Sequence, residues 1–478
     1  KCPQFRWPAG LLPAPRFHRY LVRMQRARFL PILVSILLLA FVPHPALADG
    51  PDLVGVVHAP DGAPIEDATV MIWTAGVKVG YSTHCPSCYL DCGKHARTDA
   101  HGGFTIPDLD PDLLFRIVAV AEGHAPTFVT RVDPAAGPIT VTLRPRPLPG
   151  ADARSVLRGR VVDPDGKPVP HAVVLPGMIY FTDGSARQGD VAGLDPLAVA
   201  NDRGEFALCY QQDFAAIDLE VEARGFAKVR VKRLAPGPAV HTITVREGGV
   251  ITGRVMQDGR PVPNVLVGVA QPNRMADHFF GEQTVGADEH GRFRFENVPI
   301  APTGGFDGSP YRLWHVYAKM ESIGRLGAAS PVAAVLVERD GKRYNVGDIT
   351  LRPGLTFAGR VVLSDGAAIP DGMRITASRT SAWDSVTVPL APDGSFRFDH
   401  LAPDDYFIFP SVKGYFLSRR NPSLSCAIEG RLDADTSDFI ILMEPGEETF
   451  EGLVSGMRRG QPLRSFAPAD LPAPAPDR

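Results

Sequence analysis

The strongest constraint on this chain is a short motif that it carries four times. The clearest copy reads Gly159-Arg160-Val161-Val162-Asp163-Pro164-Asp165-Gly166-Lys167-Pro168-Val169. Val161 and Val162 are β-branched and favour a strand; Pro164 fixes φ and Gly166 accepts positive φ, so Asp-Pro-Asp-Gly is a turn; the chain then restarts extended toward Val173 and Val174. Strand, turn and strand predict a hairpin. The other copies open at Gly55, Gly253 and Gly359, about one domain length apart, which predicts four tandem domains and excludes a solenoid of small units.

A second signature recurs downstream of each opening: Asp99-Ala100-His101-Gly102-Gly103-Phe104, Asn201-Asp202-Arg203-Gly204-Glu205-Phe206, Asp288-Glu289-His290-Gly291-Arg292-Phe293 and Ala391-Pro392-Asp393-Gly394-Ser395-Phe396. A turn delivers each phenylalanine onto a strand as a core anchor. Further along, Ile217-Asp218-Leu219-Glu220-Val221-Glu222 alternates apolar and charged residues, the pattern of a half-buried strand. Each unit closes on another strand, beginning near Ile139, His241, Asp348 and Phe439. No long helical period follows the N-terminal region. About seven short strands per hundred residues predict an all-β chain of four tandem seven-stranded antiparallel β-sandwiches. The expected boundaries are 1–48 for an upstream segment and signal peptide, 49–150, 151–248, 249–354 and 355–447 for the sandwiches, and 448–478 for a truncated repeat and proline-rich tail.

The pattern Gly-x-Val, Asp-Gly-x-Pro-Val, x-x-Ala-x-Val, then Asp-x-x-Gly-x-Phe resembles the carboxypeptidase regulatory-like domain, a transthyretin-like sandwich, over roughly residues 50 to 447. The resemblance implies an accessory module of exported bacterial proteins, sometimes grouped with starch-binding-like sandwiches, with no catalytic residues to carry over. The fourth unit departs from the pattern at Ala368 and Gly372, and the third carries an insertion near residues 303–310.

Met24 to Arg28 is basic, Phe29 to Val42 is apolar, and Ala46-Leu47-Ala48 precedes Asp49, a signal-peptide arrangement with cleavage expected near Ala48. The apolar run is too short to span a bilayer comfortably. Residues 1–48 hold seven basic and no acidic residues, so cleavage takes the net charge from −3 to −10. A basic footprint for nucleic acid is absent. The mature protein is expected in the periplasm or outside the cell and not as an integral membrane protein.

His84-Cys85-Pro86-Ser87-Cys88-Tyr89-Leu90-Asp91-Cys92-Gly93-Lys94-His95 is an insertion in the first unit. Three readings stand. An oxidising compartment favours one disulfide with a spare thiol. Cys85, Cys88, Cys92 and His95 could instead converge as four zinc ligands, since thiolates and imidazole suit that ion. A redox role is the third. Cys209 and Cys426 are isolated and read as small buried hydrophobes. Asp433 to Asp438 reads as a solvated acidic turn, because a calcium loop needs glycine where Asp438 stands. Trp383, in a polar stretch, offers a flat face for stacking on a sugar ring and is the candidate ligand-binding residue, with packing as the competing reading.

Nucleophile elbow, zinc-protease, phosphate-loop and dinucleotide motifs are all missing from the sequence. The expected function is therefore a non-catalytic exported rod that binds or scaffolds at the bacterial envelope, with no required cofactor and a glycan or envelope protein as partner. Carbohydrate binding and a metal or redox role of the cysteine insertion are the alternatives.

Overall fold

The computed structural model describes residues 50–82, 86–87, 89, 91–147, 149–150, 153–188, 191–272, 279–301, 312–424, 427–446 and 460–467. Strands dominate throughout, and one plan repeats four times. In the first sandwich Leu53–His58 lies between Gly103–Ile106 and Ile139–Thr142, and the facing sheet orders His95–Arg97, Thr69–Val77, Leu113–Val120 and Thr127–Val132. Val156–Val162, Gly249–Gln257 and Leu355–Leu363 occupy the place of Leu53–His58 in the later units. Each pair of sheets encloses its own core, exemplified by Leu53, Phe104 and Phe115; Leu157, Phe206 and Leu219; Ile251, Phe293 and Trp314; and Phe357, Phe396 and Tyr406. Alternation behaves as expected in Ala216–Glu222, where Ile217, Leu219 and Val221 are buried and the acidic residues between them are half-buried.

Two features differ from the sequence reading. The opening motif is not a simple hairpin. Its turn is real, with Asp163 N–H donating to Lys167 O at 2.9 Å, but Val156–Val162 and Val173–Tyr180 belong to opposite sheets. After the turn only one bridge forms, between Val162 and Pro168. Pro168 and Pro170 lack N–H donors, so the ladder stops and the chain crosses the core. The second difference is that each closing strand runs parallel to the opening one, as in Val240–Thr244 against Val156–Val162.

The glycine of the second signature explains why the two signatures travel together. Gly102, Gly204, Gly291 and Gly394 all have positive φ, between 69° and 82°. Each accepts a bond from the opening strand at 2.7–2.9 Å, donated by the N–H of Val57, Val161, Val255 and Val361 respectively. A Cβ on any of the four would sit within 2.0–2.6 Å of the carbonyl oxygen of that same valine. In the first three units the valine carbonyl also accepts the N–H of Ile65, Val169 or Val262, one residue after a proline. In the fourth unit, where Ala368 replaces that proline, Ile369 donates to Pro392 O instead.

Successive sandwiches are joined by buried contacts. Met71, Val118 and Val120 of the first pack on Val173 and Leu197 of the second. The first also reaches the fourth: Tyr81 N–H donates to Gly372 O at 3.3 Å and Arg374 donates to Val79 O at 3.4 Å. An extended row of four would not allow that contact, so the expected rod is not what forms. Segment 460–467 runs along the fourth sandwich, with Leu463 N–H donating to Arg431 O and Phe466 buried.

Candidate functional site

The densest buried polar chemistry lies where the third sandwich meets the fourth. Strand Leu313–Ala318 sends Trp314, Val316 and Ala318 into the third core, so by the two-residue period His315, Tyr317 and Lys319 face outward. The fourth sandwich covers them. Lys319 is 4% exposed and Tyr317 fully buried. Lys319 Nζ donates to Glu282 Oε2 at 2.7 Å, and the Tyr317 hydroxyl donates to Glu282 Oε1. Gly268 makes room for this group, since a Cβ there would meet Glu282 Oε1 at 2.5 Å and the Tyr317 ring at 2.7 Å.

From the fourth sandwich, Arg379 is 2% exposed and donates to Asp404 Oδ2 through Nη2 at 2.6 Å and Nε at 3.0 Å. Its Nη1 donates to Ser330 O of the third sandwich at 3.2 Å. His315 Nδ1 lies 2.5 Å from Ser381 O. Asp384, in the turn after Arg379, accepts the Met320 backbone N–H on both oxygens at 3.2–3.3 Å. The Met320 side chain, on the short helix Met320–Ile323, is buried in the core of the fourth sandwich. The helix thus pegs one unit into the other.

Burial dominates the electrostatics here. It pushes the Asp384 carboxyl up to about 7, against the opposing pull of Lys319 and Arg379 and with help from Glu282. Burial alone would lower Lys319, but Glu282 and Asp384 outweigh it and the ammonium is held more tightly than usual. The His315 imidazole is shifted down by burial, partly offset by its contact with Ser381 O. Each cation is paired within its own sandwich, and the polar contacts that cross the seam and set its register are Arg379 to Ser330 O, His315 to Ser381 O and the Met320 N–H to Asp384. Lys319, Tyr317, Arg379 and Asp384 are all buried at this junction, and the contacts among them join sandwich to sandwich.

No family model matches the sequence, and a search of curated proteins finds no match. Among solved structures, two B repeat units of the collagen-binding protein of Staphylococcus aureus are similar at 12% identity, over 83% of this chain and 99% of that chain, with a TM-score of 0.17. The TIE protein of Bacillus anthracis is similar at 9% identity over 80% of this chain and 69% of that chain, with a TM-score of 0.17. A streptococcal ancillary pilin is similar at 11% identity over 63% and 99%, with a TM-score of 0.20.

Of the residues singled out by sequence, Trp383 lies at this seam and the others fall elsewhere. Trp383 is half-buried beside Asp384, with its ring stacked on Phe279 at 4.8 Å between centroids. Cys85 and Cys88 lie outside the described residues, as does Cys426. Cys92 is half-buried against the first core and its thiol donates to Pro86 O at 3.3 Å; His95 is exposed, with Nδ1 3.0 Å from Gly93 O. Of the four candidate zinc ligands, only Cys92 and His95 are therefore among the described residues. Cys209 is buried, and burial pushes its thiol up to about 11. Asp433, Asp435 and Asp438 are exposed. Among the described residues no helix is long and apolar enough to cross a membrane.

A cleft of about 360 Å³ opens between the first and second sandwiches, walled by Glu122, His124, Arg146, Arg158 and Asp195. Arg146 holds Asp195 at 2.7 and 2.9 Å. Sequence reasoning missed both the cleft and the seam. The available signal was His315-x-Tyr317-x-Lys319, polar and aromatic residues on the outward phase of a strand whose inward phase was already apolar.

Proposed function

We propose that this chain is a non-catalytic exported scaffold of the bacterial envelope, built from carboxypeptidase regulatory-like sandwiches and binding its partner through exposed loops and inter-domain clefts. The observation that carries this reading is the location of Lys319, Glu282, Arg379 and Asp384. The charged groups that an enzyme would hold at the mouth of a cleft are here sealed between two domains. Export rests on the expected signal peptide with cleavage near Ala48. The test is retention of envelope extract components and of a glycan panel on the immobilised mature protein, run beside hydrolase substrate panels. Saturable retention without turnover is expected; turnover that survives repurification and disappears on a single substitution would overturn the reading.

A second reading, carbohydrate binding, rests on the aromatic pair Trp383 and Phe279, whose stacked rings present an apolar platform at the same junction. Loss of glycan retention in Trp383→Ala with unchanged folding supports it. The cysteine insertion keeps its structural or metal reading: zinc held by Cys85, Cys88, Cys92 and His95, or a disulfide among the three thiols. Metal analysis with thiol titration distinguishes them.

A further inference from the structure

We propose that the joint between the third and fourth sandwiches is a proton-operated clasp, in which protonation of Asp384 tightens the docking of the two domains and its ionisation loosens it. Lys319 is matched by Glu282 at 2.7 Å, and Arg379 is matched by Asp404 at 2.6 Å. Each pair is already complete. Asp384 is the third carboxylate, 2% exposed, and the hydrogen bonds to its oxygens come from one backbone N–H, that of Met320. Among the described residues, protonation of Asp384 leaves these two pairs balanced, and its ionisation adds one uncompensated negative charge to a buried interface, which is costly.

The surroundings of Asp384 support that count from every side. Lys319 faces it from the end of strand Leu313–Ala318, Glu282 from strand Glu282–Gly286, Arg379 from its own hairpin, and Tyr406 from strand Asp404–Ser411. Asp404 and His315 stand behind Arg379. Glu321, next on the helix, reaches the surface but faces Lys319 and Glu282, and desolvation raises its carboxyl too. The two cations favour the ionised form and Glu282 opposes it, and burial outweighs the cations, in agreement with the raised carboxyl.

The position of the carboxyl makes its charge count mechanically. Asp384 belongs to the fourth sandwich, whereas the N–H it accepts opens the helix that carries Met320 into the fourth core. Separating the domains exposes Asp384 to water and restores its ordinary acidity. The proton is therefore held more tightly in the docked state, so docking weakens as pH rises between the ordinary carboxylate range and about 7, and levels off above that. Within that window the docking equilibrium changes by up to about tenfold per pH unit. His315 acts with the opposite sign, since burial favours its neutral form and acid would oppose docking.

The test uses the full mature chain. Hydrogen exchange at the Met320 amide, corrected for intrinsic exchange, is followed from about pH 5 to pH 8 in wild type and in Asp384→Asn, which mimics the protonated form. Protection that falls with pH more steeply in wild type than in Asp384→Asn is expected; any slope left in the variant reports His315 and Glu321, which act with opposite signs. Equal slopes in the two proteins overturn the clasp. Should the variant fail to fold, the wild-type carboxyl is titrated directly by carbon NMR. A midpoint near 7 upholds the proposal and one near 4 rejects it.

Discussion

Alanine at Gly204 and alanine at Gly166 should have very different costs, although both glycines have positive φ, 73° and 80°, in the same sandwich. The left-handed backbone costs an L-residue about 1–2 kcal/mol at either site, and the stiffer unfolded chain returns about 0.4–1 kcal/mol at either site. Those contributions cancel in the comparison. A Cβ at Gly166 meets nothing within 4 Å, whereas at Gly204 it falls 2.4 Å from Val161 O and 3.3 Å from Val169 N. These are backbone atoms of the opening strand and cannot rotate away. The strand must shift, straining the Val161 N–H bond to Gly204 O at 2.8 Å and the Val169 N–H bond to Val161 O at 2.9 Å. Overpacking of that kind costs about 1–3 kcal/mol. Gly204→Ala should therefore be about 2 kcal/mol worse than Gly166→Ala, a difference of about 30-fold in opening equilibrium. Native-state hydrogen exchange at Val161 and Leu208 in the full chain reads this difference for the second sandwich alone, without assuming that four domains unfold together. Equal losses of protection in the two variants would show that the Val161 carbonyl is not what demands glycine.

Other substitutions test the seam and the candidate sites. Met320→Ala removes a buried side chain supplied by one sandwich to the core of the next; a loss of about 2–5 kcal/mol should appear as lower amide protection in strand Asp404–Ser411 of the fourth sandwich. Lys319→Met strands Glu282 in a buried site and should cost about 3–5 kcal/mol in thermal unfolding, whereas Lys319→Met combined with Glu282→Leu should recover most of it. Above neutral pH, deprotonation of Lys319 should weaken the seam only beyond its ordinary range near 10.5, because the folded form holds the proton more tightly and loses its advantage as pH rises through the raised value. Trp383→Ala should lower seam stability by removing the stack on Phe279, and a glycan-binding role requires that retention fall further than stability does, measured by column retention at a temperature where both proteins are folded.

Much of the fold was legible because its determinants are local and repeated. Val161 and Val162, the Asp163 to Gly166 turn and the Ile217 to Glu222 alternation each specify their own backbone, and four copies supplied the register. Phe104, Phe206, Phe293 and Phe396 are buried as expected. The partner of each strand was less legible. Nothing in the valines Val169, Val173 and Val174 says that the chain leaves its own sheet; that outcome depends on Pro168 and Pro170 withholding donors at the moment a ladder would form. The seam was least legible of all. Glu282, Lys319, Arg379, Asp384 and Asp404 each read singly as surface charge, and only the docking of one sandwich on another removes them from water. Trp383 shows the same limit, since a polar neighbourhood in sequence does not reveal the Phe279 ring that covers one of its faces.

The parallel pairing of first and last strands has a consequence for how a sandwich carries tension. In a parallel pair the chain enters at one end of the ladder and leaves at the opposite end. Tension drawn through the termini of a sandwich therefore slides Val156–Val162 along Val240–Thr244, and likewise Leu355–Leu363 along Thr436–Pro445. The inter-strand bonds are then loaded in shear and must fail together, whereas an antiparallel terminal pair would unzip one bond at a time. Rupture is governed by the unfolding rate, not by equilibrium stability. Four such clamps in series would let the chain bear force with little extension until one unit gives way.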